Sequence, residues 1–396
     1  MTSVRERIRG EDCDRATISE ARPALSVIMA FYNDAPYIAE SIESILNQTY
    51  RDFEFVIIND ASTDGSREIV ARYSDARIRL LDNPSNLGLA RSLNLGLAAA
   101  RGDLVARLDA NDVSHTDRLE KQMRFMREHP EIALLGGQYE AIDTRGYRLP
   151  WAAVPKPVTE LGVKWYFLFE SPFVHSTVMF RKALVDELGG YDPTFQWAPS
   201  EDAELWARMA VRHRMVNLPE TLISQRYDPK SISHDISRPD RAQASFVPRL
   251  TQFLAVNMKR GLALDDAEEW AGLVAALFTN ELAVTNETLQ RYVEAVDAME
   301  RRLIEIHPEA ARNTDVRRGK VELLARALFR LAPRSRRSSV PVFLRMLRAH
   351  PQTALRQLPK YVAMGLLGSR ARSLWRWWRQ RQAVVSRDKR FSEESK

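Results

Sequence analysis

Between Leu25 and Asp112, strand-length apolar runs alternate with segments of helical spacing, and two of the runs end in acids. Phe53 to Ile58 leads into Asn59-Asp60-Ala61-Ser62-Thr63-Asp64, and Leu104 to Leu108 leads into Asp109-Ala110-Asn111-Asp112. Leu25 to Phe31 and Ile78 to Leu81 are further strand candidates. Tyr37 to Leu46, Ser66 to Tyr73 and Leu89 to Ala100 carry apolar residues at helical spacing. Asn33-Asp34, Asn83-Pro84-Ser85-Asn86 and Gly102 break the chain between them. Alternation at this pitch predicts βαβ units with right-handed crossovers, hence an α/β fold around a mostly parallel sheet. In such sheets ligands bind outside the carboxyl ends of the strands. Acids at that rim suit a phosphate compound held through a metal ion. One spaced pair of acids says little; two pairs, each closing a strand of one pattern, say much more.

Downstream the pattern changes. Arg118 to His129 reads as a charged helix, Ile132 to Gly136 as a strand, and Glu201 to Arg212 as a helix after the Pro199-Ser200 break. Residues 150–175, rich in Pro, Trp and Phe, predict an irregular wall around a pocket. Residues 241–330 are helical in pattern without strand signals. The chain therefore divides into a polar leader (1–22), an α/β unit (23–240), a helical region (241–332) and a basic tail (333–396). The leader lacks the apolar stretch of a signal peptide. The longest apolar stretches, such as Ala271 to Phe278, fall far short of the roughly 20 residues a membrane helix needs.

Composition narrows the chemistry. Cys13 is the only cysteine among 396 residues, so disulfides cannot staple the fold and a cysteine-based metal site is excluded, which fits a reducing cytosol. The net charge of +6 conceals a split. Residues 334–396 carry 16 Lys and Arg against 3 Asp and Glu, net +13, while the rest carries 42 against 49, net −7. A basic tail on an acidic body predicts an anionic partner. Tyr361, Met364, Leu367, Ala371, Leu374, Trp378 and Val385 fall near one helical face, and Trp375 and Trp377 cluster with Arg370, Arg372, Arg376 and Arg379. Trp and Arg on an amphipathic helix suit an anionic membrane surface. Phe343 to Arg348 has a similar flavour. The alternative is a helix packed on the body with a solvated basic face. Nucleic acid is the weaker partner, because no recognised module accompanies the charge.

Taken in order, several motifs resemble the nucleotide-binding half of family 2 glycosyltransferases with the GT-A fold. They are Met29 to Asn33, Ile58 to Ser66, Asn86 to Leu89, Ala100 to Asp103, Arg107 to Asp112, Arg118 to Gln122, His175 to Arg181, Gly189 to Asp192 and Ser200 to Trp206. The resemblance covers about residues 24–235 and does not reach the C-terminal third. It implies a GT-A-type Rossmann-like sheet and an inverting transfer of a sugar from a nucleotide-diphospho-sugar to a hydroxyl. The acceptor would be a saccharide or lipid-linked, in surface polysaccharide or glycolipid assembly at the inner face of the cell membrane.

The same resemblance implies site residues. Asp60 would take the ring N–H of a base, with Phe31, Asn33, Asp64, Asn86, Arg91, Arg107, Asp109, His175 and Arg226 around the nucleotide-sugar. Asp64 reads equally well as a helix N-cap. Asp109, Asn111 and Asp112 would hold Mn²⁺ or Mg²⁺, which neutralises a diphosphate that bare carboxylates would repel. Family members usually have Asp where Asn111 stands, so which of the three ligates stays open. Asp202 would be the general base, with Glu201 positioning donor or acceptor. The plainer reading of both is acids at a helix start. His175 reads as a core histidine at least as well as a ligand contact, and Trp206 as core. Asp228 replaces the histidine usual after the Arg226 segment. That departure and Asn111 motivate a rival: a GT-A-fold scaffold without catalysis.

Overall fold

The computed structural model describes residues 22–150, 152–194, 201–228, 243–279, 285–331 and 336–355. The leader and the amphipathic pattern at 361–385 lie outside them. The first four strands are the runs the sequence marks: β1 (Leu25–Phe31), β2 (Phe53–Asn59), β3 (Ile78–Asp82) and β4 (Leu104–Arg107). Helices α1 (Ile38–Leu46), α2 (Ser66–Ala71) and α3 (Leu89–Ala99) connect them. The four strands pair in parallel in the order β3–β2–β1–β4. Every residue of β2 is buried, because helices cover both faces of the sheet. Alternate residues feed two cores. Ile28, Val56 and Ile58 pack with Leu93 and Leu97 of α3, while Val27, Met29, Phe55 and Ile57 pack with Ile38, Ile42 and Ile45 of α1.

The second half of the sheet is less legible. β5 (Val113–Ser114), β6 (Ile132–Ile142), β7 (Met179–Arg181) and β8 (Arg214–Arg226) extend the order to β3–β2–β1–β4–β7–β6–β8–β5. Three-residue β7 runs antiparallel to both β4 and β6, β5 runs antiparallel to β8, and β6 pairs in parallel with β8. Parallel pairings keep the majority, four against three. α4 (Arg118–Glu128) lays Leu119, Met123 and Met126 into the second core.

Residues 150–175 correct the sequence reading. They include α5 (Glu160–Tyr166), and Trp165, Tyr166, Phe167, Leu168 and Phe169 are all buried in the first core rather than lining a pocket wall. The aromatic run is a docking surface for the C-terminal helices. After α6 (Lys182–Glu187) and α7 (Glu201–Ala210) come α8 (Gln243–Leu262), α9 (Ala267–Thr279), α10 (Asn286–Ile306), α11 (Thr314–Leu331) and α12 (Arg336–Ala349). α11 seats directly on α5. Val158 N–H, Thr159 N–H and the Thr159 hydroxyl all donate to Asp315 Oδ2, at 2.9, 2.8 and 2.8 Å. The Tyr166 hydroxyl donates to Glu322 at 2.7 Å. One apolar cluster runs from Ile28 in β1 to Ala354 beyond α12, so the helical region and the sheet share a core. In α12, Val342 and Met346 face that core while Leu344, Arg345 and Arg348 face outward. For this piece, the packed helix with a basic outer face is what forms. Among the described residues, no helix is long and apolar enough to cross a membrane.

Candidate functional site

Parallel pairing brings the exits of β1, β2, β3 and β4 to one rim, and the expected site residues gather there. Asn33 adopts a left-handed conformation, φ 60°, and its Oδ1 accepts from Thr63 N–H at 2.8 Å. Asp64 Oδ2 accepts from Ala35 N–H at 3.0 Å, and its Oδ1 accepts from the Ser66 N–H and hydroxyl. Gly65, at φ 88°, is the N-cap of α2, so Asp64 sits one residue outside the helix. Its carboxylate braces the β1 and β2 loops against each other as well as holding a first-turn N–H. Asp34 lies between these loops. Burial, helped by the charges of Asp109, Asp64 and Asp228, lifts its carboxyl to about 6 against a backbone hydrogen bond from Tyr32.

Asp60 is 4% exposed and already serves the β3–α3 loop. Asn83 Nδ2, Leu87 N–H and Gly88 N–H donate to it at 2.8, 2.8 and 2.9 Å. Asn86 and Arg91 stand exposed on the edge of the same loop. Phe31 is 2% exposed with its ring in the second core, and the next residue, Tyr32, is the aromatic exposed at the rim, at 48%. Alternation along β1 was the available signal, since the first residue past a buried strand end faces solvent.

The β4 exit carries the expected metal ligands. Asp109 Oδ1 pairs with Arg107, and Asp109 Oδ2 accepts from the Ser176 hydroxyl at 2.9 Å. Asn111 is half-buried. Asp112 is 1% exposed, and its Oδ1 accepts from Arg226 N–H at 2.8 Å while Oδ2 has no hydrogen-bond partner. Burial and the charge of Asp109 push the Asp112 carboxyl up to about 7.

Two arginines expected at the ligand are buried in this structure. The Arg107 side chain is 1% exposed and supports Asp109 from beneath, in a space lined by Ile28, Leu93, Leu97, Val105, Phe180 and Tyr191. The Arg226 side chain is 2% exposed. Its Nε donates to Asn111 O at 3.0 Å, Nη1 to Asp143 O at 3.1 Å and Nη2 to Glu40, while its guanidinium lies 4.7 Å from the Tyr37 ring centroid. It clamps the Asn111–Asp112 loop to β8. Asp228 accepts from the Tyr37 hydroxyl at 3.0 Å beside it. Arg118, 0% exposed, adds a second support that sequence reasoning left unassigned: Nη2 donates to Arg107 O at 2.8 Å and Nε to Gln122 at 3.0 Å.

The Glu201–Asp202 pair opens α7 and is buried, at 6% and 5% exposure. Burial and the adjacent Asp202 charge raise the Glu201 carboxyl to about 8. His175 Nδ1 stands 3.7 Å from Glu201 Oε1, and its Nε2 is 3.0 Å from the Tyr191 hydroxyl. Burial, then the charge of Arg107, holds the imidazole well below its ordinary value, so it is neutral. Trp206 is fully buried against both rings. The turn His175–Thr177 thus joins the two halves of the site, with His175 toward Glu201 and Ser176 on Asp109.

Asp109, Asn111 and Asp112 offer only oxygen ligands, the donor set of a hard divalent cation. The buried, unpartnered Asp112 Oδ2 is the atom that such an ion would satisfy. Among the described residues no three His, Cys, Asp or Glu converge on a metal position.

A mixed α/β sheet with its acids collected at the strand exits is the architecture of GT-A glycosyltransferases. The family follows from relatives in sequence. Residues 26–189 match glycosyl transferase family 2. The glycosyltransferase EpsE of Bacillus subtilis is 39% identical over 211 residues, 52% of this chain and 74% of EpsE. The O-antigen biosynthesis glycosyltransferase WbnJ of Escherichia coli is 32% identical over 52% of this chain and 81% of its own length. The solved structure of S. aureus TarS 1-349 with UDP superposes with a TM-score of 0.48 at 17% identity, covering 85% of this chain and 91% of that one. The chain belongs to glycosyl transferase family 2.

Proposed function

We propose that this glycosyltransferase moves a hexosyl or N-acetylhexosaminyl group from a nucleotide-diphospho-sugar to a hydroxyl of a saccharide or lipid-linked acceptor, with inversion at the anomeric carbon. The observation that carries this reading is the turn His175–Thr177, which ties the acid loop Asp109–Asp112 to the buried Glu201–Asp202 pair. Leaving-group chemistry and base chemistry then belong to one site. Asp60, Asp64 and the Asn33 loop would hold the nucleoside, with Tyr32 offering an aromatic face for the base to stack on. Asp109, Asn111 and Asp112 would hold Mn²⁺ or Mg²⁺, which supplies charge neutralisation for the departing diphosphate. Asp202 would remove the acceptor proton as the hydroxyl attacks, and direct displacement inverts the configuration. Glu201, beside it, would orient the sugar.

The O-antigen assignment of WbnJ supports surface polysaccharide assembly as the setting. The +13 charge of residues 334–396 supports work at an anionic membrane surface, on the cytoplasmic side. Asp202→Asn tests the base. Transfer from labelled UDP- and GDP-sugars to a lipid-linked acceptor fraction should fall about a hundredfold or more. Nucleoside diphosphate affinity should stay within about twofold, because the base contributes in the transition state. Comparable transfer by the variant would contradict the assignment.

A further inference from the structure

We propose that Tyr191 and His175 are positioning residues for the Glu201–Asp202 pair: the Tyr191 hydroxyl donates to His175 Nε2, so the imidazole carries its proton on Nδ1 and presents it to Glu201. The inference rests on the reading of that pair as the base side of the reaction.

The geometry starts from the backbone. Asn94 of α3 grips Tyr191 twice: its Nδ2 donates to Tyr191 O at 2.7 Å, and Tyr191 N–H donates to its Oδ1 at 2.9 Å. Gly190 permits this approach, since a Cβ there would meet Asn94 Oδ1 at 2.5 Å and its φ is +74°. Tyr191 is 2% exposed, so its hydroxyl needs a partner inside the protein, and His175 Nε2 at 3.0 Å is that partner. On the other side of the ring, Nδ1 faces Glu201 Oε1 at 3.7 Å. If Nε2 carried the proton, the hydrogen of the buried Tyr191 hydroxyl would have no acceptor among the described residues, so Tyr191 donates, Nε2 accepts and the ring proton belongs on Nδ1. The hydrogen bond at one ring nitrogen sets the tautomer at the other. Trp206 stands edge-on to both rings, at centroid distances of 6.3 and 6.0 Å, and prevents them from turning. A gap of 3.7 Å is too long for a hydrogen bond in the unloaded enzyme, and contacts of this kind shorten when substrate binds.

The test uses the full-length protein labelled with ¹⁵N-histidine. Two-bond ¹H–¹⁵N correlation should show His175 as the Nδ1–H tautomer, and Tyr191→Phe should shift the ring toward a mixture. In transfer from UDP- and GDP-sugars, Tyr191→Phe should lower kcat about tenfold with the donor KM unchanged. His175→Asn, which keeps an N–H near the Nδ1 position, should retain more kcat than His175→Ala. A wild-type Nε2–H tautomer would overturn the proposal, as would an unchanged kcat in Tyr191→Phe. If the Nδ1–H tautomer is found but Asp202→Asn still transfers sugar, the relay stands and the catalytic reading of the pair fails.

Discussion

Glu201 is a carboxyl that its surroundings keep protonated, and that has a consequence for stability. Its folded value of about 8 lies well above the ordinary 4.5. The folded protein therefore binds a proton that the unfolded chain releases between those limits. The contribution of this group is fully present below about pH 4.5 and is lost as pH climbs through about 8, on the order of a few kcal/mol in all. Glu201→Gln removes the titration. Thermal melts should show the variant more stable than the parent at pH 9 and equal to it at pH 4. A difference that does not vary with pH would contradict the raised carboxyl. The acids of the rim were legible in the sequence, because each closes an apolar run. The burial of Arg107 and Arg226 was not: an arginine beside an acid motif looks the same in sequence whether it meets a ligand or a carbonyl. For Arg226 the carbonyls of Asn111 and Asp143 decide, and both come from distant segments.

At the level of elements, strands buried on both faces announce themselves and the others do not. β1 and β2 are mainly apolar runs, broken only by Ser26 in the first and by Glu54 and the terminal Asn59 in the second. β7 has three residues, and β8 contains Pro219 and pairs with β6 through register shifts, so neither presents a clean period. The aromatic run at Trp165 to Phe169 misleads for a related reason. Its burial is supplied by α11, far away in sequence. Gly319 of α11 marks that contact: a Cβ there would come within 2.6 Å of the Trp165 indole and 2.9 Å of Tyr166. Both rings are fully buried and cannot retreat. Gly319→Ala should therefore cost about 1–3 kcal/mol in denaturant unfolding, the penalty of overpacking. Gly272→Ala, in α9 with no atom within 4 Å of a new Cβ, should gain about 0.5–1 kcal/mol instead. Equal effects would argue against α11 seating on α5.

Across the whole molecule, charge and apolar surface are divided. Sheet and helical region share a core, and the acidic body carries the site, while positive charge collects past residue 333. Deleting residues 356–396, which leaves α12 and its core contacts in place, should release the protein from anionic vesicles in a sedimentation assay, and added salt should do the same to the full chain. Unchanged partitioning would contradict membrane contact through the tail. The account as a whole stands on the rim, where a nucleoside diphosphate and a cation are expected to bind together. Isothermal calorimetry of UDP, GDP, dTDP and CDP, each with Mn²⁺ and with EDTA, tests this most directly. Binding of one diphosphate with Mn²⁺, abolished by EDTA, is the predicted result. No binding of any diphosphate under either condition would contradict it, and would leave the acids of the β2 and β4 exits as loop braces in a scaffold protein.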